Sequence, residues 1–221
     1  MKKEFKFIQK IHNKTKRDYL PRMINQKVKG MNIAKKFSFD YWDGKRNYGY
    51  GGYNFMPGYW KPLAKKLIKE YNLNSKSRIL DVGCGKGYLL YEISLLIPGI
   101  NIIGFDISKY ALKHSKKEIS KYLFLHNAKN KYPFKKNYFD LTLSLGCLHN
   151  LKIQDLFFSL SEIERVSKFS YIMVESYKNN QELFNLQCWA LTCESFFSKD
   201  SWIWIFDKSK FSGDYEFIYF Q

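Results

Sequence analysis

The chain has 221 residues, 45% of them hydrophobic and 26% charged, a composition that sustains one α/β core plus an extension and excludes a disordered polypeptide. Lys and Arg outnumber Asp and Glu by 37 to 20, a net charge of +17, which fits an anionic partner but fits better the Lys-, Asn-, Ile-, Phe- and Tyr-rich product of an AT-rich coding sequence. The four cysteines, Cys84, Cys147, Cys188 and Cys193, form no C-x-x-C and no Cys/His cluster of metal-ligand spacing, so neither a disulfide framework nor a metal centre is expected.

The opening MKKEFKFIQK has no apolar run of signal-peptide length, and no stretch approaches the roughly 18 apolar residues of a membrane span. A cytoplasmic protein is expected. Residues 1–46 hold 14 Lys/Arg against 4 Asp/Glu, so more than half of the positive excess precedes the patterned part of the chain. The chain divides into a basic, aromatic extension over 1–76 and an α/β domain over 77–221.

Within the extension, 31–37 reads as a short helix. Tyr41-Trp42-Asp43-Gly44 and Asn47-Tyr48-Gly49-Tyr50-Gly51-Gly52-Tyr53-Asn54 follow, a flexible backbone carrying large rings. Such a segment suits either covering a ligand or packing its tyrosines on the core. Residues 59–71 have the spacing of an amphipathic helix, with Leu63, Leu67 and Ile68 on one side.

From residue 77 strands and helices alternate. Strands are expected at 77–82, 101–105, 122–125, 139–145, 170–175 and 214–220. Helices are expected at 86–96, 108–120, 153–167, 181–197 and 199–208. This alternation predicts a Rossmann-like, doubly wound, mostly parallel sheet with helices on both faces, its ligand at the carboxyl ends of the strands.

Between the first strand and its helix lies Leu80-Asp81-Val82-Gly83-Cys84-Gly85-Lys86-Gly87. Glycines there let the backbone turn and approach a ligand closely. The spacing is not the G-x-G-x-x-G of dinucleotide sites, and no G-K-[ST] of a P-loop follows. Asp81, at the strand end, would repel a pyrophosphate and suits a cationic, amino-acid-bearing ligand. Asp106 ends the second strand 19 residues after Gly87, the separation at which an acidic residue takes the ribose hydroxyls; it also suits the cap of the next helix. Asn127-Ala128 follows the third strand, where an amide meets an adenine edge or makes a turn.

In this order, Asp81–Gly87, Asp106, Asn127-Ala128 and Phe139-Asp140-Leu141 resemble the class I S-adenosylmethionine-dependent methyltransferases over 77–175. The resemblance implies S-adenosylmethionine as cofactor, with Asp81, Gly83, Gly85, Gly87, Asp106, Ile107, Asn127, Ala128 and Leu145 (or Gly146) around it. A narrower resemblance covers nearly the whole chain. Arg17-Asp18-Tyr19-Leu20, Asp40–Gly44, Gly49–Tyr53, Leu148-His149-Asn150-Leu151, Val174-Glu175-Ser176-Tyr177, Leu191-Thr192-Cys193-Glu194 and Gly213-Asp214-Tyr215 are similar to the methyltransferase module of ovothiol-synthesising enzymes. They are similar also to free-standing bacterial methyltransferases of surface-glycan loci. The first implies a ring nitrogen of a thiolated histidine as acceptor, the second a glycan precursor. The sulfoxide-synthase region of the ovothiol enzymes is not in this sequence.

Methyl transfer is an in-line displacement, and only an acceptor such as a sugar hydroxyl needs a base. His149, after the fourth strand, and Glu175, at the end of the fifth, are the catalytic candidates; capping the next helix is the alternative role for His149. Tyr41, Tyr50, Tyr53, Tyr177 and Glu194 are the acceptor-binding candidates, with Glu194 on a helix over the site. The expected function is methyl transfer to a small polar metabolite or activated surface-glycan precursor. A mercaptohistidine-type ring N-methyltransferase, a nucleic-acid methyltransferase and a non-catalytic cofactor-binding module are the alternatives. Against nucleic acid, Ser144-Leu145-Gly146-Cys147 stands where an Asn/Asp-Pro-Pro-Tyr/Phe motif would.

Overall fold

The computed structural model describes residues 2–12 and 17–221. Along β1 (Arg78–Val82), Ile79 packs into one apolar cluster while Leu80 and Val82 pack into another, as the two-residue period of a strand requires. β2 (Asn101–Asp106), β3 (Leu123–Leu125), β4 (Phe139–Leu145), β5 (Ser167–Glu175) and β6 (Asp214–Ile218) join it in one sheet, in the order β3-β2-β1-β4-β5-β6. Every pairing between these strands is parallel. Parallel sheets need cover on both faces, and the helices supply it.

The extension carries α1 (Gln9–His12), α2 (Leu20–Ile24), α3 (Lys27–Ala34) and α4 (Phe39–Trp42). Then come α5 (Lys61–Glu70), α6 (Tyr88–Leu96), α7 (Lys109–Lys113), α8 (Ile153–Val166), α9 (Asn180–Trp189) and α10 (Lys199–Lys208). Leu63 and Leu67 of α5, Leu89 and Ile93 of α6, and Leu186 of α9 pack with Ile79, Leu141 and Tyr171 on one face. Leu156 and Ile163 of α8, and Trp202 and Phe206 of α10, pack with Leu80, Val82 and Phe217 on the other. The fold is therefore α/β, doubly wound and Rossmann-like, with a helical N-terminal region. The strand order reverses between β1 and β4, where their loops diverge and leave a crevice.

Three helices differ from the sequence-based expectation. The first helix of the extension to be expected, over 31–37, lies at Lys27–Ala34. The helix expected over 108–120 ends at Lys113, where the Ser115 hydroxyl donates back to Leu112 O at 2.8 Å and competes with the next helical turn. The helix expected over 181–197 ends at Trp189. Beyond it, Glu194 N and Ser195 N both donate to His149 O at 3.0 Å, which holds the segment extended under the β4 loop.

The extension is tied to the sheet at its far edge. Phe5 N donates to Tyr215 O at 2.8 Å and Tyr215 N to Lys3 O at 3.0 Å, so residues 3–5 cover the β6 edge. The Glu216 carboxylate, fully buried, accepts from the backbone N–H groups of Phe7, Ile8 and Gln9, each at 2.8 Å, and from the Tyr171 hydroxyl. Removing it strands four donors, two of them buried and two half-buried, and a buried donor left unmet costs roughly 1–3 kcal/mol. Glu216→Ala is expected to lower unfolding free energy in urea by about 3 kcal/mol or more; a loss under about 1 kcal/mol would mean that the N-terminal segment is held by other contacts.

Candidate active site

Two cavities meet at the carboxyl ends of the strands. The first, of about 380 Å³, opens over the loop after β1 and reaches Asp106, Ile107, Asn127 and Ala128 on one side and Leu145 and Gly146 on the other. The second, of about 680 Å³, lies between the end of β5 and the extension. Tyr41, Tyr50, Tyr53, Trp60, Leu145 and Gly146 wall both.

The glycine loop is shaped by close packing from two sides. Gly83 has φ +76°, and a Cβ there would lie 2.4 Å from Cys147 Sγ. Gly85 has φ +56°, and its Cβ would lie 2.7 Å from Trp42 Cη2. The indole of Trp42 thus rests on the loop. Its Nε1 donates to Ser108 Oγ at 2.9 Å, and its ring stacks on Tyr50 at 5.4 Å. Asp106 fixes the loop from below: its carboxylate, 7% exposed, accepts from Gly85 N at 2.8 Å and Ser108 N at 2.7 Å. Burial raises its pKa, and the N–H groups of Ser108, Gly85 and Ile107 oppose the rise.

A half-buried ion pair clamps the extension onto the loop. Lys86 Nζ lies 2.8 and 2.7 Å from the two Asp43 oxygens and 2.8 Å from Tyr53 O. Asp43 also accepts from Tyr110 OH at 2.8 Å and Tyr53 N at 2.9 Å. Burial alone would raise the Asp43 carboxyl, but the Lys86 and Tyr110 hydrogen bonds outweigh it and hold it low.

Asp81 is 5% exposed and lines the first cavity, and no hydrogen bond reaches its carboxylate among the described residues. Burial, then the Asp106 charge, push its pKa up to about 7. A carboxylate kept dry and open to a cavity awaits a cationic partner.

At the second cavity, His149 is 4% exposed. Its Nδ1 accepts from Glu175 N at 3.2 Å, and its Nε2 lies 3.5 Å from Glu175 Oε2. Since Nδ1 accepts, the neutral ring carries its proton on Nε2, facing the carboxylate. Burial lowers its pKa, with Glu175 opposing.

Of the residues singled out in the sequence, Asp81, Gly83, Gly85, Asp106, Ile107, Asn127, Ala128 and Leu145 line the first cavity. Gly87 lines neither; it precedes α6 at φ +70°, where a Cβ would meet Ile119 and Leu123. Asn127 Oδ1 accepts from Lys129 N at 3.1 Å, so it makes the turn as well as the wall. Tyr41, Tyr50 and Tyr53 line both cavities, His149 and Glu175 the second. Glu194 stands at the first cavity, in the loop after α9 rather than on a helix, paired with Lys35 at 2.5 Å. Tyr177 lines neither cavity, because its backbone bridges to Ser198 and its ring packs on the core. Sequence reasoning missed Trp42 and the Asp43–Lys86 clamp, whose only signal was the aromatic-Asp-Gly run at 41–44. It also missed the arginines of the second cavity.

Comparison with known proteins completes the identification. A methyltransferase domain model matches residues 73–216, and an O-methyltransferase domain model matches residues 11–124. The chain belongs to the class I S-adenosylmethionine-dependent methyltransferases. The methyltransferase is 35% identical over 94 residues to a malonyl-[acyl-carrier protein] O-methyltransferase of Legionella pneumophila, covering 40% of this chain and 33% of that one. It is 28% identical to the Bacillus anthracis malonyl-[acyl-carrier protein] O-methyltransferase over 152 residues, 62% of this chain and 56% of that one. It thus spans between a third and just over half of the length of these curated relatives. A solved complex of the Trm112 methyltransferase activator of Haloferax volcanii with a methyltransferase is similar in fold, with TM-score 0.56 and 20% identity, over 68% of this chain and 67% of that one.

The cofactor of this family fits the residues present. Asp81, with no hydrogen bond to its carboxylate among the described residues, would suit an ammonium group, and Asp106, at the end of β2, would suit ribose hydroxyls. The pKa of Asp81 gives a pH test. Its folded value lies above the unfolded 3.8, so the native protein holds a proton that the unfolded chain releases. The stabilisation from this group therefore falls as pH rises through that window, and is constant above about 7. A cationic ligand group requires the ionised form. Affinity for S-adenosylhomocysteine is thus expected to rise roughly 30-fold from about pH 5.5 to pH 8, with proton release seen as a buffer-dependent calorimetric enthalpy. Asp81→Asn should flatten the profile; a wild-type profile already flat would remove Asp81 from the ammonium site.

Proposed function

We propose that the methyltransferase acts on a small polar metabolite or activated surface-glycan precursor held in the second cavity. The carrying observation is the shared wall: Tyr41, Tyr50, Tyr53, Leu145 and Gly146 border both cavities, so a donor in the first and an acceptor in the second meet there. When bound, S-adenosylmethionine supplies an electrophilic methyl group on a sulfonium. The chain's own residues do the rest. Asp81 and Asp106 hold the donor's charged and hydroxyl-bearing parts, and Asn127 and Ala128 bound its far end. Trp42, anchored by Ser108 and resting on Gly85, keeps water from the loop.

Glu175 is the residue that receives a proton from, or orients, the acceptor's O–H or N–H. His149 is its positioning partner: with both nitrogens turned toward Glu175, the ring holds the carboxylate rather than acting as the base itself. The O-methyltransferase match over 11–124 supports an oxygen acceptor. A ring nitrogen of a thiolated histidine is the second reading, supported by the flat aromatic walls of Tyr41, Tyr50 and Trp189, since such a nucleophile is planar and needs no strong base. Nucleic acid fits less well, because Arg22 and Arg46 of the basic extension line the second cavity and Lys27 donates to Cys188 O and Ala190 O, so these charges do not form an outward-facing strip.

The protein is expected to transfer labelled methyl groups from S-adenosylmethionine to small acceptors in a panel of sugar phosphates, nucleotide-activated sugars, hydroxy acids and thiolated histidine. Labelling confined to RNA or DNA, with affinity falling steeply in salt, would overturn the reading.

A further inference from the structure

The second cavity has a polarity that methyl transfer alone does not require. Arg17, Arg22 and Arg46 line it, with Glu175 the one carboxylate in its wall among the described residues. All three guanidinium groups lie on Trp189, at 5.3, 4.0 and 4.8 Å from its ring. Arg22 and Arg46 converge further: each donates to Gly49 O at 3.1 Å. Neither forms an ion pair among the described residues, and Glu175 is turned to His149 instead. Arg22 donates otherwise to Trp189 O and Arg46 O, and Arg46 to Tyr50 O. A guanidinium has five N–H donors, so Arg22 and Arg46 keep N–H donors beyond these bonds among the described residues.

Like charges gathered in a half-buried wall repel one another, and an oxyanion relieves that cost while taking the planar N–H fork. We propose that the arginine end of this cavity binds an oxyanion of the acceptor, Arg22 and Arg46 holding a phosphate or carboxylate while Glu175 faces its O–H or N–H. The acceptor is then a bipolar small molecule, anionic at one end and nucleophilic at the other. This rests on the methyltransferase reading and adds the acceptor's charge class. The electrostatics agree with it: burial, then the Arg46 charge, push Arg22 down to about 10, and burial, then Arg22, push Lys27 down to about 8.

The test is calorimetry on the full chain saturated with S-adenosylhomocysteine, titrated in separate arms with inorganic phosphate and with acetate. Uptake of phosphate points to a phosphorylated acceptor and uptake of acetate to a carboxylate; either supports the proposal. Arg46→Gln, which keeps an N–H donor and loses the charge, is expected to weaken anion binding by about tenfold or more. Arg46→Lys should retain most of it, and both should bind S-adenosylhomocysteine within about twofold of wild type. A purely structural arginine would lower thermal stability alike in both variants and leave anion affinity unchanged, which would overturn the proposal. So would uptake of neither anion by protein that binds S-adenosylhomocysteine. Failure of the wild type to bind S-adenosylhomocysteine would instead overturn the reading beneath it.

Discussion

Glu175→Gln is expected to lower kcat for methyl transfer by roughly 10²- to 10⁴-fold, the usual worth of a positioned base, while S-adenosylhomocysteine affinity stays within about twofold. The amide is nearly isosteric and can still meet His149, so the fold is spared. Glu175 lines the second cavity and not the first, so donor binding is untouched. His149→Ala should lower kcat less, because it removes the group that fixes Glu175 and leaves the carboxylate itself. The kinetic split decides the role. A rise confined to KM in Glu175→Gln would reduce Glu175 to a binding contact, as an imidazole-nitrogen acceptor that needs no base would allow.

The second large effect is on the donor. Asp106→Ala is expected to weaken S-adenosylhomocysteine binding by about 100-fold or more. Charge-assisted hydrogen bonds to a ligand contribute roughly 1.5–3 kcal/mol, and the structure adds a further loss. Asp106 holds Gly85 N and Ser108 N, and Ser108 in turn receives Trp42 Nε1. One substitution therefore loosens the glycine loop and the indole that covers it. Asp106→Asn keeps an oxygen for one of the two N–H groups and should fall between wild type and Ala. Equal affinities for wild type and Asp106→Ala, in protein whose thermal transition is intact, would remove Asp106 from the donor site.

The parallel sheet was legible because its signal is local. Apolar runs closed by Gly or Asp mark β1, β2 and β4, and the acidic strand end 19 residues after Gly87 needs no tertiary knowledge to notice. The end of α9 was not legible. Residues 181–197 carry helical spacing, but the carbonyls of Cys188, Trp189 and Ala190 are taken by Lys27 and Arg22, and the His149 carbonyl, from a loop some forty residues earlier, holds Glu194 and Ser195. Tyr177 misled for a similar reason: its place after β5 promised the cavity, but the bridge to Ser198 turns it into the core. The extension was read as a cover for the acceptor. It walls both cavities, the first through Phe37 and Trp42, and the Asp43–Lys86 clamp that seats it joins residues with no sequence pattern between them. The arginine cluster is invisible for the same cause, since Arg17, Arg22 and Arg46 look like part of a diffuse basic surplus until Trp189, far along the chain, gathers them.

The central claim is that donor and acceptor occupy adjoining cavities that meet at Tyr50, Leu145 and Gly146. A crystal structure of the full chain with S-adenosylhomocysteine tests it most directly. The account predicts the ribose hydroxyls on Asp106, the ammonium group on Asp81, and the sulfur facing the shared wall with Glu175 beyond it. S-adenosylhomocysteine lodged among the arginines of the second cavity, or bound with Asp81 and Asp106 both out of reach, would contradict it.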